Sequence, residues 1–152
     1  MIGFDFFWHA GVLARLYVEP SSFLLSPERA FALIPVGYLS FLIFAILLVW
    51  LMAKVGVQGW RQGGVFGLQV GALSSGAFTL GLFSIAKVTP ELLAGWFLGQ
   101  TVELGIAGLV AGSGFTTPRL GRLLVKVLAL VIGAFIVTVV MQTIGLAPAV
   151  RP

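Results

Sequence analysis

The chain of 152 residues has the length of a single domain, but 59% of its residues are hydrophobic, only 9% are charged, and its mean hydropathy is +1.11. A soluble chain has about 25% charged residues, so this composition excludes a soluble domain and predicts an all-α, polytopic transmembrane helix bundle formed by residues 1–152. The net charge of +4 is scattered among apolar runs, so we expect a lipid bilayer around the chain and no nucleic acid.

Residues 2–19, the N-terminal segment, are predicted to form an amphipathic helix. Its polar residues share about a third of the helix circumference and are Asp5, His9, Arg15 and Glu19. Two placements remain open: the helix lies flat in the outer interface, or it crosses the membrane as a fifth span of about 27 Å. We favour crossing, because interfacial helices usually have a richly basic polar face.

Four apolar runs are each long enough to cross about 30 Å of hydrocarbon as a helix. They are residues 31–53, 63–86, 92–112 and 123–147. A serine or threonine followed by proline marks three predicted helix starts. The side-chain hydroxyl caps a free backbone amide, and proline has no amide hydrogen to satisfy. These pairs are Ser26-Pro27, Thr89-Pro90 and Thr117-Pro118.

Two of the three connections between these runs, loops 54–62 and 113–122, are basic. Their cationic residues are Lys54, Arg61, Arg119 and Arg122, whereas Lys87 and Glu91 cancel in the remaining connection. The positive-inside rule therefore predicts that both basic loops face the cytoplasm from the inner (plasma) membrane. Aromatic residues near the ends of the runs are typical of a membrane interface, and these are Tyr38, Trp50, Trp60 and Trp96.

Small residues recur every fourth position in the second and third runs. The second contains Gly63, Gly67, Gly71, Ser75 and Thr79, and the third contains Gly95, Gly99, Glu103, Ala107 and Ala111. Because small side chains let membrane helices approach closely, we expect these two stripes to pack against each other in an antiparallel hairpin. Ser75 lies twelve residues before Lys87, and Glu103 lies twelve residues after Glu91, so a symmetric turn would place the two side chains at the same level. The fourth run is rich in β-branched residues and is predicted to face lipid or another subunit.

Glu103 is the strongest functional candidate, because a carboxylate at mid-bilayer costs several kcal/mol unless it is neutral or paired. Three interpretations remain open. Glu103 forms an interhelical hydrogen bond with Ser75 or Gln100, it carries protons, or it contacts a partner or ligand. If the N-terminal segment crosses, His9 also lies near the midplane and forms a relay with Glu103. Alternatively, Asp5 fixes the tautomer of His9, or both lie at the water boundary.

The residue types argue against an enzyme. With one histidine, no cysteine and no acid within reach of both His9 and an exposed serine, we predict no catalytic residue set and no metal site. No cofactor is predicted. The aromatic and small residues around His9 resemble, over about five positions, the way light-harvesting polypeptides present an axial ligand to bacteriochlorophyll.

A broader resemblance rests on the order of features along the chain. The stretch from Phe7-Trp8-His9 to Leu16-Tyr17 is followed by a proline-containing loop, an aliphatic span and a glycine-rich span. The next span contains Val102-Glu103-Leu104 with Gly105 and Gly108. In these features the chain resembles small uncharacterised bacterial inner-membrane proteins of four or five helices. That resemblance implies a fold and a location, since no reaction is assigned to such proteins.

Our leading hypothesis is a non-enzymatic integral membrane subunit that packs against, assembles or stabilises a larger membrane protein complex. Its partners would be other membrane subunits or further copies of the chain. The lipid-like fourth run and the scarcity of polar lining in so small a bundle support it. The alternative hypothesis is a small proton-coupled transporter that uses Glu103, alone or with His9.

Overall fold

The computed structural model describes residues 1–18 and 23–148, and within these ranges the chain is helical with no strand. The N-terminal segment comprises α1 (Ile2–Phe7), a π-helical turn (Trp8–Val12) and α2 (Ala14–Val18). The remaining helices are α3 (Pro27–Ala32), α4 (Ile34–Val55), α5 (Trp60–Ile85), α6 (Pro90–Thr116) and α7 (Leu120–Thr143). Among the described residues, α4 to α7 are long and apolar enough to cross a membrane. The all-α membrane bundle is therefore confirmed.

Local chemistry explains where these helices begin. The Oγ1 atom of Thr89 accepts a hydrogen bond from the amide of Leu92 at 3.4 Å, so the Thr-Pro pair caps α6. The first run is interrupted, because Pro35 lies in the first turn of α4 and Leu33 leaves helical geometry at φ −95° and ψ 0°. In contrast, α7 begins two residues after Pro118, since the Thr117 hydroxyl instead accepts from the amide of Arg119.

The α5–α6 hairpin has the closest backbone packing in the described part of the bundle. Gly63 and Gly67 lie directly against the α6 backbone, where they face the carbonyl groups of Gly108 and Leu104. A methyl group on Gly71 would lie 2.8 Å from the Cα atom of Thr101. The period-four glycines of α5 therefore hold the two helix axes close together, as small residues do in membranes.

The register of this hairpin differs from the equal-step count. Ser75 lies beside Thr101 instead of Glu103, with 3.2 Å between the two hydroxyl oxygens. The count assumed a symmetric turn, but α5 ends at Ile85 and the extended residues that follow fold back toward it. Val88, in that connection, packs against Leu82 in the last turns of α5. Helix α6 thus starts deeper in the bundle than a symmetric turn would place it.

The N-terminal segment stands upright beside α7 and runs in the same direction. Gly3 lies against Val131, the ring of Phe6 stacks on Phe135 with 4.5 Å between centroids, and the Gln142 amide donates to the Ala10 carbonyl at 3.1 Å. This ordered series is inconsistent with a helix lying flat across the ends of the spans. At 1.5 Å per residue the contacts cover about 16 Å of α7, from Val131 to Gln142, which is less than a full hydrocarbon crossing. Glu19 lies outside the described residues.

Burial differs strongly among the four long helices. Helix α6 is the most buried and α7 the least, so α6 is the central helix of the bundle. Helix α4 is attached mainly through its C-terminal half, where Leu48 and Met52 pack with Leu104. Large apolar side chains in the rest of α4 are more than half exposed, namely Leu39, Leu42, Ile43 and Ile46.

Candidate intramembrane polar site

The site forms where the N-terminal segment crosses one face of α6. Gly95, Gly99 and Glu103 lie four residues apart, so they share one stripe of the helix. Trp8 covers Gly99, and Leu13 covers Gly95. The stripe therefore does not face α5, which corrects the prediction that Gly95 and Gly99 pack against the α5 glycines.

Two bulky side chains explain why this α6 stripe is small. A methyl group on Gly99 would come within 2.5 Å of the Trp8 Nε1 atom, and one on Gly95 within 2.8 Å of a Leu13 methyl carbon. The Trp8 indole also donates to the Gly95 carbonyl at 2.9 Å. The glycines of α5 make room for the backbone of α6, whereas Gly95 and Gly99 of α6 make room for side chains of the N-terminal segment. A period-four pattern alone does not distinguish these two uses.

Glu103 follows on the same stripe, and one oxygen of its carboxyl group is buried without a hydrogen-bond partner. Glu103 is 3% exposed, and its Oε1 atom has no partner within reach. The Nε2 atom of Gln100, one turn earlier, is also buried and unpartnered. The predicted bond from Gln100 is therefore not formed.

The predicted bond between Ser75 and Glu103 is likewise absent. The Ser75 hydroxyl donates to the Gly71 carbonyl at 2.6 Å and faces Thr101. Its position follows from the hairpin register, which turns Ser75 toward the α5-facing side of α6. Glu103 instead lies on the α6 stripe that faces the N-terminal segment, which carries Asp5.

Asp5 pairs with His9 and precedes Trp8, which covers Gly99, so it lies toward the Glu103 end of the α6 stripe. The Asp5 side chain is 21% exposed, and its Oδ1 atom lies 3.4 Å from the Nε2 atom of His9. The structure thus pairs His9 with Asp5, which was one of the alternatives left open by the sequence. No hydrogen bond joins His9 to Glu103, and the relay of these two residues stays a prediction.

His9 lies in the π-helical turn, where the amide of Leu13 bonds to the carbonyl of Trp8 at 2.8 Å. Such turns are rare and are frequent at functional sites. The helix is interrupted at Leu13, and beyond it Tyr17 returns to His9 with 2.6 Å between its Oη atom and the Nδ1 atom. Neither the π-helical turn nor the role of Tyr17 was predicted, because the helical-wheel argument assumed a regular α-helix.

Trp96 completes a continuous polar chain. Its indole nitrogen donates to the Tyr17 Oη atom at 2.5 Å. The sequence suggested an interfacial anchor at this position, but Trp96 turns toward the N-terminal segment. Hydrogen-bond and ion-pair distances therefore link Trp96, Tyr17, His9 and Asp5, and Glu103 lies one turn beyond Gly99 on the α6 stripe that this segment covers.

Within the described ranges, no three His, Cys, Asp or Glu residues lie close enough to hold a metal ion. Both ring nitrogens of His9 face protein groups, so ligation of a pigment would require one of these contacts to break. No family model matches the chain, and no curated protein or solved structure is significantly similar to it.

Proposed function

We propose that this integral membrane protein is proton-coupled, and that Glu103 with Asp5 binds and releases a proton within the bundle. The observation that supports this proposal is the buried Oε1 atom of Glu103, which has no hydrogen-bond partner although it lies on the stripe that faces the segment carrying Asp5. A residue whose only role was to join helices would be expected to use its hydrogen bonds. Here Ser75 bonds elsewhere, and Gln100 leaves its amide nitrogen unpartnered.

Elementary electrostatics favours proton binding at such a pair. Two neighbouring carboxylates in a medium of low dielectric repel each other, so binding one proton between them removes the repulsion. Intramembrane acids are expensive and are often found on proton or ion pathways. The partly exposed Asp5 side chain provides a connection between the buried Glu103 and the surroundings of the bundle.

The test compares Glu103→Gln with Glu91→Gln in purified, reconstituted protein. Glu91 is an exposed acid on the same helix, so its substitution removes the same charge away from the site. Under an imposed membrane potential, we expect vesicles with wild-type or Glu91→Gln protein to acidify, and vesicles with Glu103→Gln protein to acidify no faster than empty ones. Equal proton flux through Glu103→Gln and wild-type protein would exclude the proposal. Elution as one sharp species checks that each variant is assembled.

The second candidate is the non-enzymatic subunit of a larger complex, and the exposed half of α4 favours it. A helix held to its own bundle at one end only has an apolar surface available for another membrane protein. A partner that co-purifies in mild detergent, and that is lost on Ile43→Ala with Ile46→Ala, would support this role. A chain that elutes alone under all such conditions would contradict it.

The inner-membrane location and the cytoplasmic side of loops 54–62 and 113–122 stay predictions. Cysteine labelling from each side of the membrane tests which side the loops face.

A further inference from the structure

We infer that Tyr17, His9 and Asp5 form the path by which a proton reaches Glu103, and that Trp96 is a positioning residue that sets the direction of this path. The inference rests on the proposed proton-coupled function and adds the route. It depends on a geometry of side chains that sequence spacing did not indicate.

The chain extends along the bundle axis. Trp96 lies in the second turn of α6, and Glu103 lies seven residues further on, which corresponds to about 10 Å along the helix. The N-terminal segment covers this interval in the opposite direction, from Tyr17 back to Asp5. The polar chain therefore connects the end of the bundle where α6 begins with the buried carboxyl group.

The donors and acceptors define one arrangement of hydrogens. An indole nitrogen only donates, so the Tyr17 oxygen accepts from Trp96 and its own proton is free to point at His9. The Nδ1 atom of His9 then acts as the acceptor, and the neutral ring carries its proton on Nε2. That proton faces the Asp5 Oδ1 atom at 3.4 Å. Trp96 thereby selects the tautomer of His9 through Tyr17.

Proton transfer along this arrangement is balanced at each atom. When the Tyr17 oxygen takes a proton from outside, its original proton passes to Nδ1 of His9. The ring then releases the Nε2 proton to the Asp5 carboxylate, which shares it with Glu103. The reverse sequence, from Asp5 to Nε2 and from Nδ1 to Tyr17, unloads the proton at the end where it entered. Net flux instead requires that Glu103 releases its proton toward the other end of α6 and that the His9 ring turns over to restore the starting tautomer.

The groups around this path leave few competing routes. Helix α4 brings Tyr38 close enough for its phenol to interact with the charge of Asp5. The α7 residues found against the N-terminal segment are not titratable; they are Val131, Phe135, Met141 and Gln142. Arg15 points away from the path to the Leu146 carbonyl.

Tyr17→Phe tests the path, with Ser84→Ala as the control for loss of a hydroxyl group, because exposed Ser84 donates to the Gly81 carbonyl of its own helix. We expect Tyr17→Phe to lower proton flux into vesicles by at least about a hundredfold, the low end of what a positioned proton-transfer group contributes, and Ser84→Ala to leave it unchanged. Unchanged flux in Tyr17→Phe, with flux lost in Glu103→Gln, would overturn the path and leave the proposed function intact. Unchanged flux in Glu103→Gln would overturn both.

A spectroscopic measurement separates this role from a purely structural one. The chain contains a single histidine, so nitrogen NMR of ¹⁵N-labelled histidine reports on His9 alone. Asp5 favours the Nε2-protonated tautomer in every variant, so we expect this tautomer in the wild type and a larger Nδ1-protonated fraction in Tyr17→Phe and in Trp96→Phe. An Nδ1-protonated ring in the wild type, or a tautomer unaffected by both substitutions, would contradict the assignment. If Tyr17→Phe does not fold, Trp96→Phe provides the same two readouts.

Discussion

Gly67→Ala should destabilise the hairpin, because the added methyl group would meet backbone atoms that have little freedom to move. Apart from the Leu104 carbonyl oxygen, its nearest neighbours would be the Leu104 carbonyl carbon at 2.9 Å and the Gly105 Cα atom at 3.1 Å. Carbon atoms are most favourably about 3.5 to 4.0 Å apart, so the helices must separate by about 0.5 to 1 Å. Such a gap forfeits about a quarter to a half of each dispersion contact along the seam.

Overpacking of this kind costs about 1 to 3 kcal/mol, so we expect Gly67→Ala to lower the free energy of unfolding by about 2 kcal/mol. Gly81→Ala on the same helix is the matched control, because its added methyl group would meet no neighbouring side chain or helix within 4 Å. Unfolding of both variants in mixed detergent micelles, followed by circular dichroism, measures the difference. If Gly67→Ala is as stable as Gly81→Ala, the close packing of α5 on α6 is wrong.

Two further substitutions probe the packing of the N-terminal segment and the start of α6. Gly99→Leu should displace Trp8 and shift the tryptophan emission of the protein. Gly133→Leu is the control, because a side chain at Gly133 would meet open space and should leave the emission unchanged. Equal spectra of the two variants would show that Trp8 does not cover Gly99. Thr89→Ala should lower the free energy of unfolding by about 1 kcal/mol through loss of the α6 cap, and Thr89→Ser should retain most of it. Equal losses in both threonine variants would contradict the capping role.

The sequence predicted those features that depend on composition and local chemistry. Long apolar runs indicate membrane-spanning helices because hydrocarbon cannot satisfy free backbone amides. The Thr89-Pro90 pair indicates a helix start because the threonine hydroxyl accepts from a free backbone amide there and proline has no amide hydrogen to satisfy. The glycines of α5 indicate close approach of a neighbouring backbone, and the structure places α6 there.

The site itself depends on relationships that local patterns do not contain. A small-residue stripe shows that something packs closely on α6, but not that Trp8 and Leu13 of a distant segment do so. The register of the hairpin depended on how the short connection after Ile85 folds. The approach of Tyr17 to His9 depended on a π-helical turn, which adds a residue that a helical wheel does not anticipate.

The role of Glu103 is tested most directly by infrared difference spectroscopy of reconstituted protein between acidic and alkaline buffer. The five side-chain carboxyl groups of the chain all contribute carbonyl bands of protonated acids, so the proposed function predicts that one component of the wild-type spectrum is missing in Glu103→Gln and kept in Glu91→Gln. Glu91 and Glu103 lie on the same helix, so the two substitutions differ mainly in burial. A carbonyl region that is the same in Glu103→Gln and wild-type protein would contradict proton binding at Glu103.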